Sequence, residues 1–411
     1  MSAGIVVVGA SLAGIRAAEG VRRGGYLGPV TLVGSEPHLP YDRPPLSKAY
    51  LSGEASADFY RSEAEIRDDL GVDLRLGTTA TSLRPDDHVL VTDGGEQPYE
   101  RLIVATGASP RVVPGIPDLD GILTLRTLDD ADALRERIRP GARVIVVGAG
   151  FIGSEIASAA AHLGAHATVI EAAAIPLVRA VGSEVGGVLA ALHGQHGTRL
   201  LLDTRVAEYL GADRIESVLL DTGEVVPADV VVIGIGAAPA TEWLRSSGID
   251  LHAVDGGVVC DEYLRSSLQD VYAAGDVAHW PNGALDSVMR LENWTNAADQ
   301  ATRAGLNAAD PGAAQPYETV PYFWSDWYGQ RIQFVGTAIA DEVEFLSGGP
   351  GETRFVAVYR TGDRIVGAAT LNERRAIMKL RRVIGDRGGI GAARDVVHAT
   401  RASVPARGIT S

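Results

Sequence analysis

Two short, unbroken apolar runs stand out along the chain, Ile5-Val-Val-Val8 and Val144-Ile-Val-Val147. Runs of this length, rich in β-branched residues, fit strands of a parallel sheet buried on both faces. Residues 5–34 read as strand, helix and strand, the start of a doubly wound sheet. Residues 37–55 carry too many prolines for a strand. A polar helix is predicted near 61–70, then short strands to about 97, then Leu102-Ile-Val-Ala-Thr-Gly107. A charged helix over 129–139 leads into a second strand–helix–strand unit. Residues 205–232 read as a β-meander closing with Val230-Val-Val-Ile233. Val271-Tyr-Ala-Ala-Gly-Asp276 reads as a strand ending at an acid, with a helix following at about 293–309. Beyond Asp310 the chain is richer in aromatic and β-branched residues. Ile332-Gln-Phe-Val335 and Arg354-Phe-Val-Ala-Val-Tyr359 alternate in the manner of strands, and a basic helix is predicted from about Glu373.

This pattern predicts an α/β protein of glutathione-reductase-like architecture, with two Rossmann-like dinucleotide-binding domains and a C-terminal α+β domain. The second Rossmann unit is inserted in the first. The expected divisions are 1–108 with 237–315, 109–236, and 316–411.

Each apolar run is followed by a glycine fingerprint and a helical pattern: Gly9-Ala-Ser-Leu-Ala-Gly14 and Gly148-Ala-Gly-Phe-Ile-Gly153. In this context the first glycine permits the strand-to-helix turn, the second lets the backbone approach a pyrophosphate, and the third lets helix and strand pack. The helix N-terminus then offers free N–H groups and a partial positive charge to the phosphates. An acid about 20 residues later, for a ribose hydroxyl, completes the motif. Glu36 follows the first copy and Glu171 the second. Ser11 takes the place of the middle glycine in the first copy and is small enough to be tolerated there. Two copies in one chain imply two dinucleotides and electron transfer between them.

Composition narrows this reading. The 411 residues suffice for about three domains. A net charge of −15 argues against a nucleic-acid partner. The single cysteine, Cys260, has no intrachain partner, so a reducing, cytoplasmic setting is expected. Cys260 itself reads as a small residue in a strand. The first strand begins so early that no signal or transit peptide is expected, and no apolar run is long enough to suggest a membrane span. No metal site is read from the sequence.

Several segments together resemble one family: Pro40-Tyr-Asp-Arg-Pro-Pro-Leu-Ser-Lys48, Ala105-Thr-Gly107, Leu125-Arg-Thr-Leu-Asp-Asp130, Tyr272-Ala-Ala-Gly-Asp276, Arg290-Leu-Glu-Asn-Trp294 and Pro321-Tyr-Phe-Trp-Ser-Asp326, besides both fingerprints. The chain resembles the NADH-dependent, FAD-containing ferredoxin reductases of bacterial oxygenase systems. It is also similar to apoptosis-inducing-factor and monodehydroascorbate reductase flavoproteins. Trp327 departs from the pattern, where a polar residue is more usual.

The resemblance implies FAD at the first fingerprint, held by Gly9, Ser11, Leu12, Ala13, Gly14, Glu36, Arg43 and Lys48. Ala105, Thr106, Gly107, Gly275, Asp276, Glu292, Asn293, Trp294 and Trp324 are implied further along, with Arg126 either a flavin-domain contact or a plain ion-pair residue. Asp276 is either a ribityl ligand or an ordinary strand-end acid. NADH is implied at Gly148, Gly150, Phe151, Ile152, Gly153, Glu155, Glu171, Arg179, Ile235 and Gly236. A carboxylate at Glu171 suits the free 2′-hydroxyl of NAD and repels the 2′-phosphate of NADP. The following Ala172-Ala-Ala-Ile175 offers no arginine for that phosphate.

By the same resemblance, Lys48 and Glu155 form an ion pair beside the flavin. Glu155 also suits the first turn of a helix on electrostatic grounds alone. Related disulfide reductases and peroxidases place cysteine near residues 40–50. Here that stretch has none, so the electrons are expected to leave the protein.

The implied acceptor is an iron–sulfur ferredoxin, most simply of the two-iron type. Arg374, Arg375, Lys379, Arg381, Arg382 and Arg387 are candidates for docking it, or else form a solvated helix face. Trp324 and Trp327 are candidates for lining the flavin edge, with core packing the alternative for Trp327. The other functions left open are reduction of a small acceptor (monodehydroascorbate, a quinone or oxygen) and a redox-sensing interaction protein.

Overall fold

A computed structural model describes residues 3–111 and 113–402. The chain divides into two compact units. The first comprises residues 1–44, 57–110 and 237–319, and the second comprises residues 45–56, 111–236 and 320–411.

In the first unit, the wholly buried strand Gly4–Val8 lies between Val30–Val33 and Gly95–Val104, parallel to both. Val72–Arg75 extends the sheet on one side and Val271–Ala273 joins Gly95–Val104 in parallel. Gly95–Val104 is one continuous strand, where the apolar pattern predicts a break between 97 and 102. Its first half pairs antiparallel with Val89–Thr92, and its second half runs parallel beside Gly4–Val8. Pro98 sits at the end of the first pairing, so its missing N–H falls near the change of partner. The helix Leu12–Arg23 packs on Trp294–Ala309 through small residues. A Cβ on Gly305 would lie 2.2 Å from the carbonyl oxygen of Ala17, so only glycine allows this approach. The polar segment near 61–70 is helical, but Glu65–Asp69 takes a wider π-type turn.

The second unit holds a five-stranded parallel sheet ordered Arg199–Leu201, His166–Ile170, Arg143–Val147, Val230–Ile233 and Ile122–Leu123. Val230–Ile233 therefore does not close the meander. The meander is limited to Val206–Leu210, Ser217–Leu220 and Val225–Pro227, and the all-buried Val230–Ile233 inserts beside Arg143–Val147. An antiparallel sheet runs Tyr322–Trp327, Gln330–Gly336, Arg364–Leu371, Phe355–Thr361, Glu342–Ser347, followed by helices Arg374–Gly385 and Ile390–Ala402.

The C-terminal residues group with 111–236 because they share a core. Val181, Val185 and Leu189 pack with Trp327, Phe334 and Tyr359. Residues 45–56, assigned by the sequence pattern to the first domain, also fall in the second unit. Tyr50 there donates to Asp132 Oδ1 at 2.6 Å. Among the described residues no helix is long and apolar enough to cross a membrane.

Candidate functional site

Both fingerprints form tight strand-to-helix turns in which glycine is sterically required. Gly9 has φ +112°, and a Cβ there would lie 2.2 Å from the carbonyl oxygen of Ala105. A Cβ on Gly14 would lie 1.7 Å from the Gly9 carbonyl oxygen. In the second copy, Gly148 has φ +106° with its Cβ position 2.4 Å from the carbonyl oxygen of Gly234, adjoining Ile235 and Gly236. Gly150 is different. Its Cβ position meets only the Gly234 oxygen, at 4.0 Å, so the backbone faces open space at the helix N-terminus.

Neither fingerprint helix has a side-chain cap at its N-cap residue, Ser11 or Gly150. By contrast, Leu128–Arg137 carries a capping box from Thr127 and Asp130, and Trp294–Ala309 is capped by Asn293. Uncapped N–H groups at two glycine turns, with room beside Gly150, fit dinucleotide phosphates. Leu12 and Ala13 are buried, so only their backbone is available to a ligand.

In the first unit, the acid that ends the second strand is tied to the turn. Arg43 pairs with Glu36, donates from Nε to Ser11 Oγ at 3.0 Å and from Nη1 to Tyr41 Oη at 2.9 Å. Tyr41 also donates to Glu36. Ser11 thus accepts a hydrogen bond that glycine could not. At the same end of the neighbouring strand, Thr106 donates to the Ala240 carbonyl at 2.8 Å. Gly275 has φ +82°, and its N–H donates to Gln300 Oε1 at 2.8 Å. The Asp276 carbonyl accepts from Arg290 Nη1 at 2.8 Å, and Arg290 pairs with Glu292 at 2.7 Å. Trp294 donates from Nε1 to Asp42 Oδ1 at 2.7 Å, and Tyr60 donates to the same oxygen at 2.7 Å.

In the second unit, Glu171 accepts from the backbone N–H groups of Ala149 and Ala173. This holds its carboxylate over the second fingerprint. Lys48 Nζ lies 2.7 Å from Glu155 Oε2. Glu155, only 5% exposed, also accepts from the hydroxyls of Ser47 and Ser325. Trp327 donates from Nε1 to Ser325 Oγ at 2.8 Å. Lys48 and Glu155 line a cleft of about 520 Å³ together with Ser158, His196, Asp326 and Tyr328.

Phe151 packs against Phe323 with centroids 4.9 Å apart, whereas Ile152, one residue on, is half-exposed. Arg179 is exposed. Arg126 lies in the second unit, where its N–H donates to Asp130 Oδ2 at 2.8 Å.

Two expectations need correction. Trp327 lines no edge. It is 1% exposed, stacked on His193 with centroids 5.7 Å apart, and its indole N–H has a buried partner, so it is core. Arg381 is not part of a free basic face, because its Nε donates to the Val320 carbonyl at 2.8 Å. The exposed basic residues of this helix are Arg374, Arg375, Lys379 and Arg382, with Arg387 exposed just beyond it. Trp324 is half-buried beneath Arg331, whose guanidinium lies 5.3 Å from its ring centroid. Cys260 is buried, which pushes its thiol pKa well up and leaves it protonated.

Sequence reasoning missed His193 and its chain. Its Nε2 lies 3.2 Å from Ser154 Oγ, its Nδ1 lies 2.8 Å from Tyr328 Oη, and Tyr328 donates to Thr198 Oγ1 at 2.9 Å. Burial pushes the His193 pKa down to about 4 and that of Tyr328 up to about 12. A histidine directly after Leu192, four residues on from Leu189 in a helical pattern, gives no signal in sequence that distinguishes it from a core residue. Ser47 and Ser325 were equally silent.

Two family models match the chain, "Pyridine nucleotide-disulphide oxidoreductase" over residues 3–301 and "Reductase C-terminal" over residues 322–401. The chain belongs to the pyridine nucleotide-disulphide oxidoreductase family. It is an oxidoreductase with FAD and NADH as cofactors. Rhodocoxin reductase of Rhodococcus erythropolis is 36% identical over 92% of this chain and 89% of its own length. The biphenyl dioxygenase system ferredoxin–NAD(+) reductase component of Paraburkholderia xenovorans is 35% identical over 94% of each. The crystal structure of the covalent putidaredoxin reductase–putidaredoxin complex superposes with a TM-score of 0.90 at 30% identity, covering 98% of this chain and 99% of that one. The fold is that of these reductases, two dinucleotide-binding sheets with an α+β C-terminal region.

Proposed function

We propose that this enzyme takes a hydride from NADH to FAD and passes single electrons to an iron–sulfur ferredoxin, of the two-iron type, that serves an oxygenase. FAD when bound supplies the conversion of a two-electron donor into one-electron steps, while the protein supplies orientation and electrostatics. The observation that carries this reading is the second fingerprint's neighbour, the Lys48–Glu155 pair. It stands where related thiol enzymes keep cysteine, in a chain whose only thiol is buried and held protonated. Electrons arriving there have no sulfur to enter. The names of the relatives supply the acceptor class.

The first fingerprint would hold the FAD pyrophosphate on the backbone of Gly9 to Gly14, with Glu36 on the adenosine ribose and Arg43 beside the phosphates. Ala105 to Gly107, Gly275, Asp276 and Glu292 to Trp294 would form the rest of that cradle. Gly148 to Gly153 would hold the NADH pyrophosphate, Glu171 its adenosine ribose, and Arg179, Ile235 and Gly236 its flanks. Lys48, fixed by Glu155, would present its ammonium group to the reacting ring. Arg374, Arg375, Lys379 and Arg382 supply a cationic face suited to an acidic ferredoxin despite the net charge of −15, because charges beyond a Debye length of roughly 8 Å are largely screened. With a single cysteine and no disulfide to maintain, we place the reaction in the cytoplasm.

The test uses the FAD-loaded protein with NADH and cytochrome c. Rapid cytochrome reduction is expected only when a two-iron ferredoxin is added. Equal rates without ferredoxin, or faster turnover with a quinone or oxygen, would overturn the acceptor assignment.

A further inference from the structure

We propose that His252, Asp255 and His279 form a binding site for a late first-row divalent cation such as Zn²⁺. Two of the three come from one short hairpin, His252-Ala-Val-Asp255. Leu251 bridges Val258 antiparallel, His252 N–H donates to the Gly257 carbonyl at 2.7 Å and Gly256 N–H to the His252 carbonyl at 2.8 Å. The third is fixed by sheet register, because Val258–Val259 runs parallel to Ala278–Asn282 with Val259 opposite His279. The hairpin and this pairing bring the two imidazoles face to face, centroids 4.0 Å apart and planes 20° from parallel.

Both rings aim a nitrogen at one oxygen. Asp255 Oδ1 lies 3.1 Å from His252 Nδ1 and 2.9 Å from His279 Nε2, and one ligand atom from each residue falls within 4.8 Å of the others. Zinc takes imidazole nitrogen and carboxylate oxygen at roughly 2.0–2.2 Å in a tetrahedron. That geometry sets ligand atoms roughly 3.3 Å apart, and binding requires the stacked rings to turn out of parallel so that both in-plane lone pairs meet one ion, a rotation open to the half-exposed His252. A metal ion takes each ring in its neutral form with the proton on the nitrogen that faces away from the ion.

The carboxylate is already oriented as an outer shell would orient it. Arg290 Nε donates to Oδ2 at 2.7 Å and Gly257 N–H to Oδ1 at 3.2 Å. His279 is buried and Asp255 nearly so, whereas the His252 side chain is 39% exposed and gives ion and water an entry for the fourth position. The guanidinium offsets the carboxylate charge and makes the site weaker than one with three unopposed ligands. Imidazole-rich ligand sets select zinc, copper and nickel over magnesium and calcium.

The experiment is equilibrium dialysis of the untagged, FAD-loaded protein against Zn²⁺, with wild type, His252→Ala and His279→Ala compared. The expected result is one zinc per chain in the wild type, with affinity lowered by at least roughly 10-fold in each variant. Circular dichroism and FAD content confirm that the variants are folded. X-ray absorption of the loaded wild type should show two imidazoles and oxygen. Absence of stoichiometric binding, or binding undiminished in both variants, as at the exposed His162–Glu54 pair, overturns the site.

Discussion

Glu171 accepts the backbone N–H of Ala149 at 2.8 Å, and its other oxygen accepts that of Ala173 at 2.9 Å. The strand-end acid is therefore tied to the glycine turn it serves. Glu171→Arg is expected to lower kcat/KM for NADH by roughly 10- to 100-fold, the value of one charged hydrogen-bonding partner, and to raise that for NADPH. Steady-state kinetics with both nucleotides checks this. Wild-type enzyme that used the two equally well would falsify the role of Glu171.

Lys48→Met keeps the stem and removes the charge beside Glu155. Flavin reduction by NADH, followed by stopped-flow absorbance, should slow at least roughly tenfold, about 1.4 kcal/mol of barrier, while FAD content stays near one per chain. An unchanged reduction rate would remove Lys48 from the chemistry.

His193 links stability to pH. Its native pKa of about 4 lies below the ordinary 6.5. The unfolded chain therefore binds a proton that the native chain refuses. Stability should fall as pH drops from about 6.5 to about 4 and should lose no more from this group below that range. A shift from 6.5 to about 4 at 1.36 kcal/mol per unit amounts to roughly 3 kcal/mol. Thermal unfolding across this range should show a shallower acid slope for His193→Gln than for the wild type, with other groups contributing equally to both.

The exposed face of Arg374, Arg375, Lys379 and Arg382 predicts a salt-sensitive partnership. Reversing Arg375 and Lys379 to Glu should raise the KM for ferredoxin several-fold and flatten its salt dependence. Ferricyanide reduction should not change. Equal loss with both acceptors would point to damage within the enzyme rather than at a docking face.

The two turns were readable because glycine there answers a steric demand written locally, within a strand and the helix that follows. Glu36 and Glu171 were readable for the same reason, at strand ends a fixed distance on. What escaped was set by long-range register. Val230–Ile233 has the same apolar composition in a meander as in a parallel sheet, and only its pairing with Arg143–Val147 decides. Trp327 sits among aromatic residues that could line an edge or a core, and the stacking of His193 settles it. His252 and His279 are too far apart in sequence to suggest a cluster until the strand Ala278–Asn282 is laid beside the hairpin.

The crowding around Glu155 has one more consequence. Lys48, Ser47 and Ser325 together occupy three of the roughly four lone-pair sites of its carboxylate, and Trp327 closes the sequence behind Ser325. A group so fully engaged is a poor proton relay. The site is built to fix a charge and to keep proton traffic out of the electron path, so transfer from NADH should run at nearly the same rate in heavy water as in light.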